Sequence, residues 1–294
     1  MEGLDPGTQL APKGAGMLAE GPLLADPSIS SVLAPTLSDS GAAPQQESGR
    51  LAAKVEIASE LSESVKASMF ALYERYYEAT NAQLFMSDLK TKDYVILLTD
   101  HEGHAKGFST LAVFSFDFHG ARRRAIFSGD TIVDHRHWGE YALSFTWIRL
   151  AGRLKAQEPT VPLYWFLIVK GHRTYRYLPA FSTSYYPTWK RPTPPEAQDL
   201  MDHLASARFG RAYDPRTGIV AFPASRGQLK PEWAVVPPDD LRKPDVRFFL
   251  ERNPSYASGH ELACLTELSP ETLRPLPRRL FLQGLRCVTA GGGS

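Results

Sequence analysis

Asp130 is the one carboxylate inside an otherwise apolar run, Ala125–Val133, AIFSGDTIV. A carboxyl group held among apolar side chains loses hydration. Its charged form is disfavoured, and its pKa moves toward the range where it can take and return a proton near neutrality. The bland alternative is a structural aspartate bonded locally beside Gly129. His135 and His137 follow at the end of the run and are alternative proton acceptors, or surface histidines. They lie two apart beside Asp134, but no second pair of ligand types stands at a spacing that completes a metal site, so no metal is expected. Arg136 and Gly139 stand just before a helical pattern. The first backbone N–H groups of a helix are unpaired and point outward, so this start can hold an anion such as a pyrophosphate. The run Arg122, Arg123, Arg124 is the densest basic patch. It either solvates a surface or receives phosphates or an acidic partner.

These residues need elements to position them. The stretch 121–155 reads as strand, polar turn and helix, the helix from Glu140 to Leu154 with Tyr141, Leu143, Phe145, Ile148 and Leu150 as apolar positions. Before it, Ala52–Leu89 reads as helix, broken near Ser62–Ser64. Val65, Met69, Leu72 and Tyr76 share one face. Tyr73, Tyr76 and Tyr77 on this helix either pack at its rim or line an acceptor or acyl pocket. Tyr94–Thr99 and Ala105–Phe118 read as strands turned at His101–Gly103. Leu163–Val169, LYWFLIV, reads as a central strand covered on both faces. His172–Leu178 follows as a short helix, then the aromatic loop Phe181–Trp189. Farther on, Pro195–Phe209 is an amphipathic helix. The fragments GIVAF and EWAVVP are short strands or extended arms, Val246–Leu250 and Leu262–Leu265 are candidate strands, and Pro270–Arg279 is a turn or short helix.

Three parts are expected: a disordered Gly/Pro/Ala/Ser-rich extension over 1–50, a core over 51–190, and a C-terminal extension over 191–294 that completes the sheet and covers the acceptor side. The net charge of +1 gives no global case for nucleic acid or a membrane. No apolar run reaches membrane-spanning length, and the start lacks a signal-peptide pattern, so a cytoplasmic location is expected. Two cysteines, Cys264 and Cys287, are too few for a disulfide scaffold. P-loop, dinucleotide-binding glycine and serine-elbow patterns are not found.

The order helix, strands at Tyr94 and Ala105, strand–turn–helix over Ala125–Leu154, strand Leu163–Val169 and short helix resembles the GCN5-related N-acetyltransferase superfamily over roughly Leu51–Trp189. The resemblance implies an α/β (α+β) fold with a mixed central sheet flanked by helices. It implies an acyl-coenzyme A or acyl-carrier-protein donor, bound where two neighbouring parallel strands splay. The thioester and pantetheine arm would lie by Ile132 and Val133, and the pyrophosphate on the turn Arg136, Trp138, Gly139, Glu140, Tyr141, Ala142. Tyr141 stands where the superfamily's turn has a small residue, which favours a carrier protein's pantetheine arm over coenzyme A. By the same resemblance the base is Asp130, His135 or His137. Tyr185 or Tyr186 would protonate the leaving thiolate, with His172 assisting. Arg122, Arg123 and Arg124 would meet the carrier protein or coenzyme phosphates.

The expected activity is N-acyl transfer, fatty acyl groups included, to an amine of a small molecule or peptide. Two other readings stand beside it. One is a noncatalytic thioester- or protein-binding module, motivated by bulky Trp138 and Tyr141. The other is an acyl-homoserine lactone-type synthase, whose acidic and arginine pattern is not evident near the first strands.

Overall fold

The computed structural model describes Leu24–Ala25 and residues 51–289. The disorder expected over 1–50 falls on residues that otherwise lie outside this description, as does the tail from 290. In chain order the elements are β1 (Leu24–Ala25), β2 (Ala52–Ile57), α1 (Glu63–Tyr76), β3 (Tyr77–Glu78), α2 (Ala82–Leu89), β4 (Tyr94–Thr99), β5 (Ala105–Phe118), β6 (Ala121–Val133), α3 (Ala142–Gln157) and β7 (Leu163–Val169). There follow α4 (His172–Tyr175), α5 (Tyr177–Phe181), α6 (Pro195–Phe209), β8 (Tyr213–Asp214), β9 (Ile219–Val220), β10 (Gln228–Leu229), α7 (Pro231–Ala234), α8 (Pro238–Leu241), α9 (Pro244–Arg252), β11 (Glu261–Glu267) and α10 (Pro275–Thr289).

A long hairpin is the spine of the sheet. β5 and β6 pair antiparallel from Phe118↔Ala121 to Gly107↔Val133. The sheet runs β2-β4-β5-β6-β7-β11-β9-β8, with β1 beside β5 beyond the end of β4. Among the described residues only β6 and β7 pair in parallel; their neighbours are antiparallel. The mixed α/β architecture expected from the sequence is therefore present.

Strand alternation sends successive side chains to opposite faces. On one face Ile96, Val113, Ile126, Trp165 and Leu167 pack against Leu143, Trp147, Ile148 and Leu154 of α3. On the other, α1 and α2 cover Val95, Leu97, Phe108 and Ile132. Leu200, Met201 and Leu204 of α6 cover Phe114, Phe127, Phe166 and Leu265 on that same side. Helices α3 and α10 touch backbone to backbone. A Cβ added at Gly152 would lie 2.1 Å from the Phe281 carbonyl oxygen, and one at Gly284 would lie 2.1 Å from that of Arg149.

Four readings of local structure need correction. Ala52–Ile57 is a strand, paired with β4 from Ala52↔Thr99 to Ile57↔Tyr94. Its Ala, Lys and Glu favour helix, but Ala53, Val55 and Ile57 alternate with them, and pairing at the sheet edge decides. Val246–Leu250 lies in helix α9. Pro244 starts it, Asp245 sits in its first turn, and Val246 and Phe249 are buried three apart. In EWAVVP, Glu232–Ala234 lie in helix α7 rather than in a strand, and Val235–Pro237 are not helical. Pro270–Arg279, read as a turn or short helix, is a turn that runs into the 15-residue helix α10, with Pro275 and Pro277 in its first turn, where a missing N–H costs nothing.

Candidate functional site

The parallel pair is short. β6 and β7 are bonded from Arg124↔Leu163 to Ser128↔Leu167. Beyond Ser128, β6 stays with β5 as far as Val133, while β7 stays with β11 as far as Val169. The two strands thus diverge from Gly129 onward. A bulge marks the point of departure: Leu111 opposes Ser128 and Ser109 opposes Thr131, so Gly129 and Asp130 together face the single residue Thr110. Glycine leaves room there, because a Cβ would come within 2.6 Å of Lys92 Cε and of Thr110 Oγ1, and those side chains would have to shift. The Trp165 indole donates to Ser128 Oγ at 2.9 Å and fixes the last paired position.

Asp130 projects toward the side covered by α1. It is half-buried, and among the described residues its carboxylate has no hydrogen-bond or ion-pair partner. Burial, then the charge of Asp88, pushes its pKa up to about 7, against the pull of Lys170 and Lys92. The groups around it are tied to one another. Lys92 Nζ is 2.7 Å from Asp88 Oδ2 and donates to Thr91 Oγ1 at 2.9 Å. Lys170 Nζ, just past the end of β7, is 3.4 Å from Glu261 Oε1, donates to the Gly227 carbonyl at 3.1 Å and lies over the Tyr77 ring. Tyr73 and Tyr77 stack with centroids 4.5 Å apart. Burial, then the charge of Asp130, raises both phenol pKas, so both stay protonated. Tyr73 donates to the Arg226 carbonyl at 3.4 Å, whereas the Tyr77 hydroxyl has no hydrogen-bond partner among the described residues. Burial also raises the pKa of Glu261.

At the end of β6 the chain closes on itself. Asp134 is buried; its Oδ1 accepts from Arg136 N and Nε, and its Oδ2 from Arg136 Nη2 and Arg75 Nη1, at 2.7–3.1 Å. The Arg136 guanidinium is therefore engaged by Asp134. The His135 backbone N–H donates to Tyr76 Oη at 2.7 Å, and its ring Nδ1 lies 3.1 Å from the same oxygen. His137 Nδ1 is 2.8 Å from Glu140 Oε1. Gly139 has φ +97° and open space on its Cβ side, and the start of α3 carries no side-chain cap. The Trp138 indole donates to the Val133 carbonyl at 2.9 Å. The Arg173 guanidinium covers that indole and donates to the Trp233 carbonyl at 3.2 Å. The Trp233 ring lies 4.8 Å from Tyr76, 5.1 Å from His135 and 5.8 Å from Trp138, centroid to centroid. Pairing of β10 with β3 anchors the segment that carries Trp233. Residues from α1, the turn after β6, α4 and α7 thus meet across the mouth of the divergence.

The structure brings Asp130 close to Tyr73 and Tyr77, and it sets Ile132, Val133, His135 and Trp138 along the strand that leaves the divergence. Tyr141 and Ala142 follow at the start of α3, Tyr141 exposed and stacked on Phe145. It separates the other candidates. His172 is buried, and its Nε2 lies 3.3 Å from Asp240 Oδ2. Tyr185 is buried among Tyr175 and its neighbours, and Tyr186 pairs with Leu265 on the far side of β11. Neither tyrosine borders the divergence. In the arginine run, Arg122 pairs with Glu158, Arg123 donates to Tyr164 Oη, and Arg124 is 1% exposed and donates to the Leu154 carbonyl. Arg124 cannot meet a partner's surface. Sequence reasoning missed Lys92, Lys170, Asp88 and Glu261. One signal was legible: Lys170 ends an apolar strand, where a charge has to find a partner.

No protein-family model matches the chain, and no curated protein matches it. Among solved structures, part of the chain is similar to a conserved protein of unknown function from Enterococcus faecalis, described as a probable N-acyltransferase. The identity is 15%, the TM-score 0.34, and the match covers 45% of this chain and 33% of that one. The chain therefore spans about a third of that protein's length. It is also similar to a GNAT family N-acetyltransferase from Escherichia coli solved with CoA, at 19% identity and TM-score 0.32, over 45% of this chain and 69% of that one. A third likeness is to the AtaT toxin bound to acetyl-CoA and the C-terminus of its antitoxin AtaR, at 10% identity and TM-score 0.31, over 45% and 84%. At these scores the likenesses assign neither an activity nor a ligand to this chain.

Proposed function

We propose that the chain is an N-acyltransferase of GNAT type. It moves an acyl group from a thioester of coenzyme A or of a carrier protein to an amine. The observation that carries this reading is Asp130, an unpaired carboxylate with a pKa of about 7, in the bulge where β6 parts from β7.

The chemistry asks little of the protein beyond holding two reactants and managing protons. An ammonium acceptor gives one proton to Asp130. The neutral amine attacks the thioester carbonyl carbon, and the C–N bond forms as the C–S bond breaks. The second proton of the former amine goes to the departing thiolate. The Tyr77 phenol, kept protonated by burial, donates a hydrogen bond to the developing charge rather than giving up its proton. The uncapped start of α3, with Gly139 open beside it, supports an anion-binding role for the turn. Because Arg136 is engaged by Asp134, backbone N–H groups carry that role.

A specific feature favours the second reading, a noncatalytic module: the mouth of the divergence is filled by Trp138, Trp233 and Arg173. Thiol release from acetyl-, octanoyl- and palmitoyl-coenzyme A, and from acyl-carrier protein, with a panel of amines separates the two. Turnover that falls about 100- to 10,000-fold in Asp130→Asn supports the transferase. Absence of thiol release, with thioester binding retained, supports the module.

A further inference from the structure

The charges around Asp130 do not balance. Three carboxylates, Asp88, Asp130 and Glu261, act on one another there, and two ammonium groups stand among them. Lys92 is bonded to Asp88 and Lys170 to Glu261. Asp130 is left over, and neither its carboxylate nor the Tyr77 hydroxyl has a hydrogen-bond partner among the described residues. Arg75 and Arg136 are held by Asp134, and exposed Arg226 lies over Phe222 while its charge acts on Glu261.

Resting on the transferase reading, we propose that the acceptor is an aliphatic primary ammonium without a carboxylate beside its amine, held by Asp130 next to Tyr77. An ammonium supplies the positive charge that the cluster lacks. It can donate to Asp130 and to the unused Tyr77 oxygen, and burial makes both interactions stronger than in water. A ligand of α-amino-acid type brings a carboxylate as well. That group would face Asp88, Asp130 and Glu261, whose ammonium partners Lys92 and Lys170 are already engaged, and like charges at close quarters are repelled.

The matched probes are n-butylamine and norvaline, which differ only by the α-carboxylate. Titration calorimetry on the full chain, without any thioester, reads their affinities. At pH 8 butylamine is expected to bind at least about tenfold more tightly than norvaline, and Asp130→Asn is expected to remove that preference. Binding of butylamine should also strengthen as pH rises through about 7, where Asp130 ionises in the face of Lys92, Lys170, Asp88, Glu261, Tyr73 and Tyr77. Equal or tighter binding of norvaline, an unchanged preference in Asp130→Asn, or binding of neither probe would overturn the proposal. The readout needs no turnover. Amine binding without thiol release therefore sinks the transferase and keeps the ammonium site, while thiol release with amino acids alone does the reverse.

Discussion

The Arg173 guanidinium lies 4.3 Å from the centroid of the Trp138 ring. Trp138 belongs to the turn that follows β6, and Arg173 to the helix that follows β7. The contact spans the gap that the two strands open, and it is the simplest obstacle to a thioester entering there.

Removing the obstacle should be measurable. Arg173→Ala deletes one cation–π contact and one hydrogen bond to the Trp233 carbonyl, together on the order of 1–2 kcal/mol. If donor entry requires that these contacts open, acetyl-coenzyme A should bind about 3- to 30-fold more tightly to the variant, as read by calorimetry. An unchanged or weakened affinity would mean that the aromatic cluster is a fixed wall.

Stability should depend on pH through Asp130. Its folded-state pKa of about 7 lies above the ordinary carboxylate value, so the folded chain holds a proton that the unfolded chain releases. Its contribution is fully present below about pH 4 and is lost as pH rises through about 7. The Asn variant keeps no such charge. Compared with the parent, Asp130→Asn should therefore gain relative stability between pH 5 and pH 8 in denaturant titrations. A constant difference across that range would count against the buried, unpaired carboxylate.

Asp134 carries the opposite sign. The Arg136 guanidinium, with Arg75 beside it, holds its carboxyl well below the usual range. That stabilisation is present above the ordinary carboxylate pKa and fades as pH falls below it. Asp134→Asn should cost about 1–2 kcal/mol at pH 7, discounted because both arginines are half-exposed, and distinctly less at pH 2. A thermal melt at each pH checks this.

The α3–α10 contact makes a purely steric prediction. A methyl group at Gly152 or Gly284 meets a main-chain carbonyl that no rotamer change can move aside. Gly152→Ala and Gly284→Ala should each lower stability by about 1–3 kcal/mol or more, even though alanine is the better helix former. Little change in midpoint for both would mean that the two helices slide apart easily.

Strands with a plain period or an unbroken apolar run were legible. Tyr94–Thr99, Ala105–Phe118 and Leu163–Val169 sit where composition and turn residues put them. The edge strand Ala52–Ile57 was not, because its residues favour helix and only its partner on β4 makes it a strand. Asp130 was legible as a lone acid among apolar neighbours. The lysines and carboxylates that surround it were not, since they come from α2 and the loop after it, the residue following β7, and β11, far apart in the chain and joined only by the fold. For the same reason Tyr77, close to Asp130, was less conspicuous than Tyr185 and Tyr186, which proximity to β7 in the chain had suggested.

Trp138 and Trp233 also give the divergence a natural optical signal. Trp147 and Trp165 are sealed in the core, and Trp189 stands on a separate loop, so those three indoles report a steady background. The pair at the mouth lies against a guanidinium, an imidazole and a phenol, groups that tune indole emission. A molecule that parts them changes the colour and yield of the protein's own fluorescence, so occupancy of the gap can be followed in real time without a label.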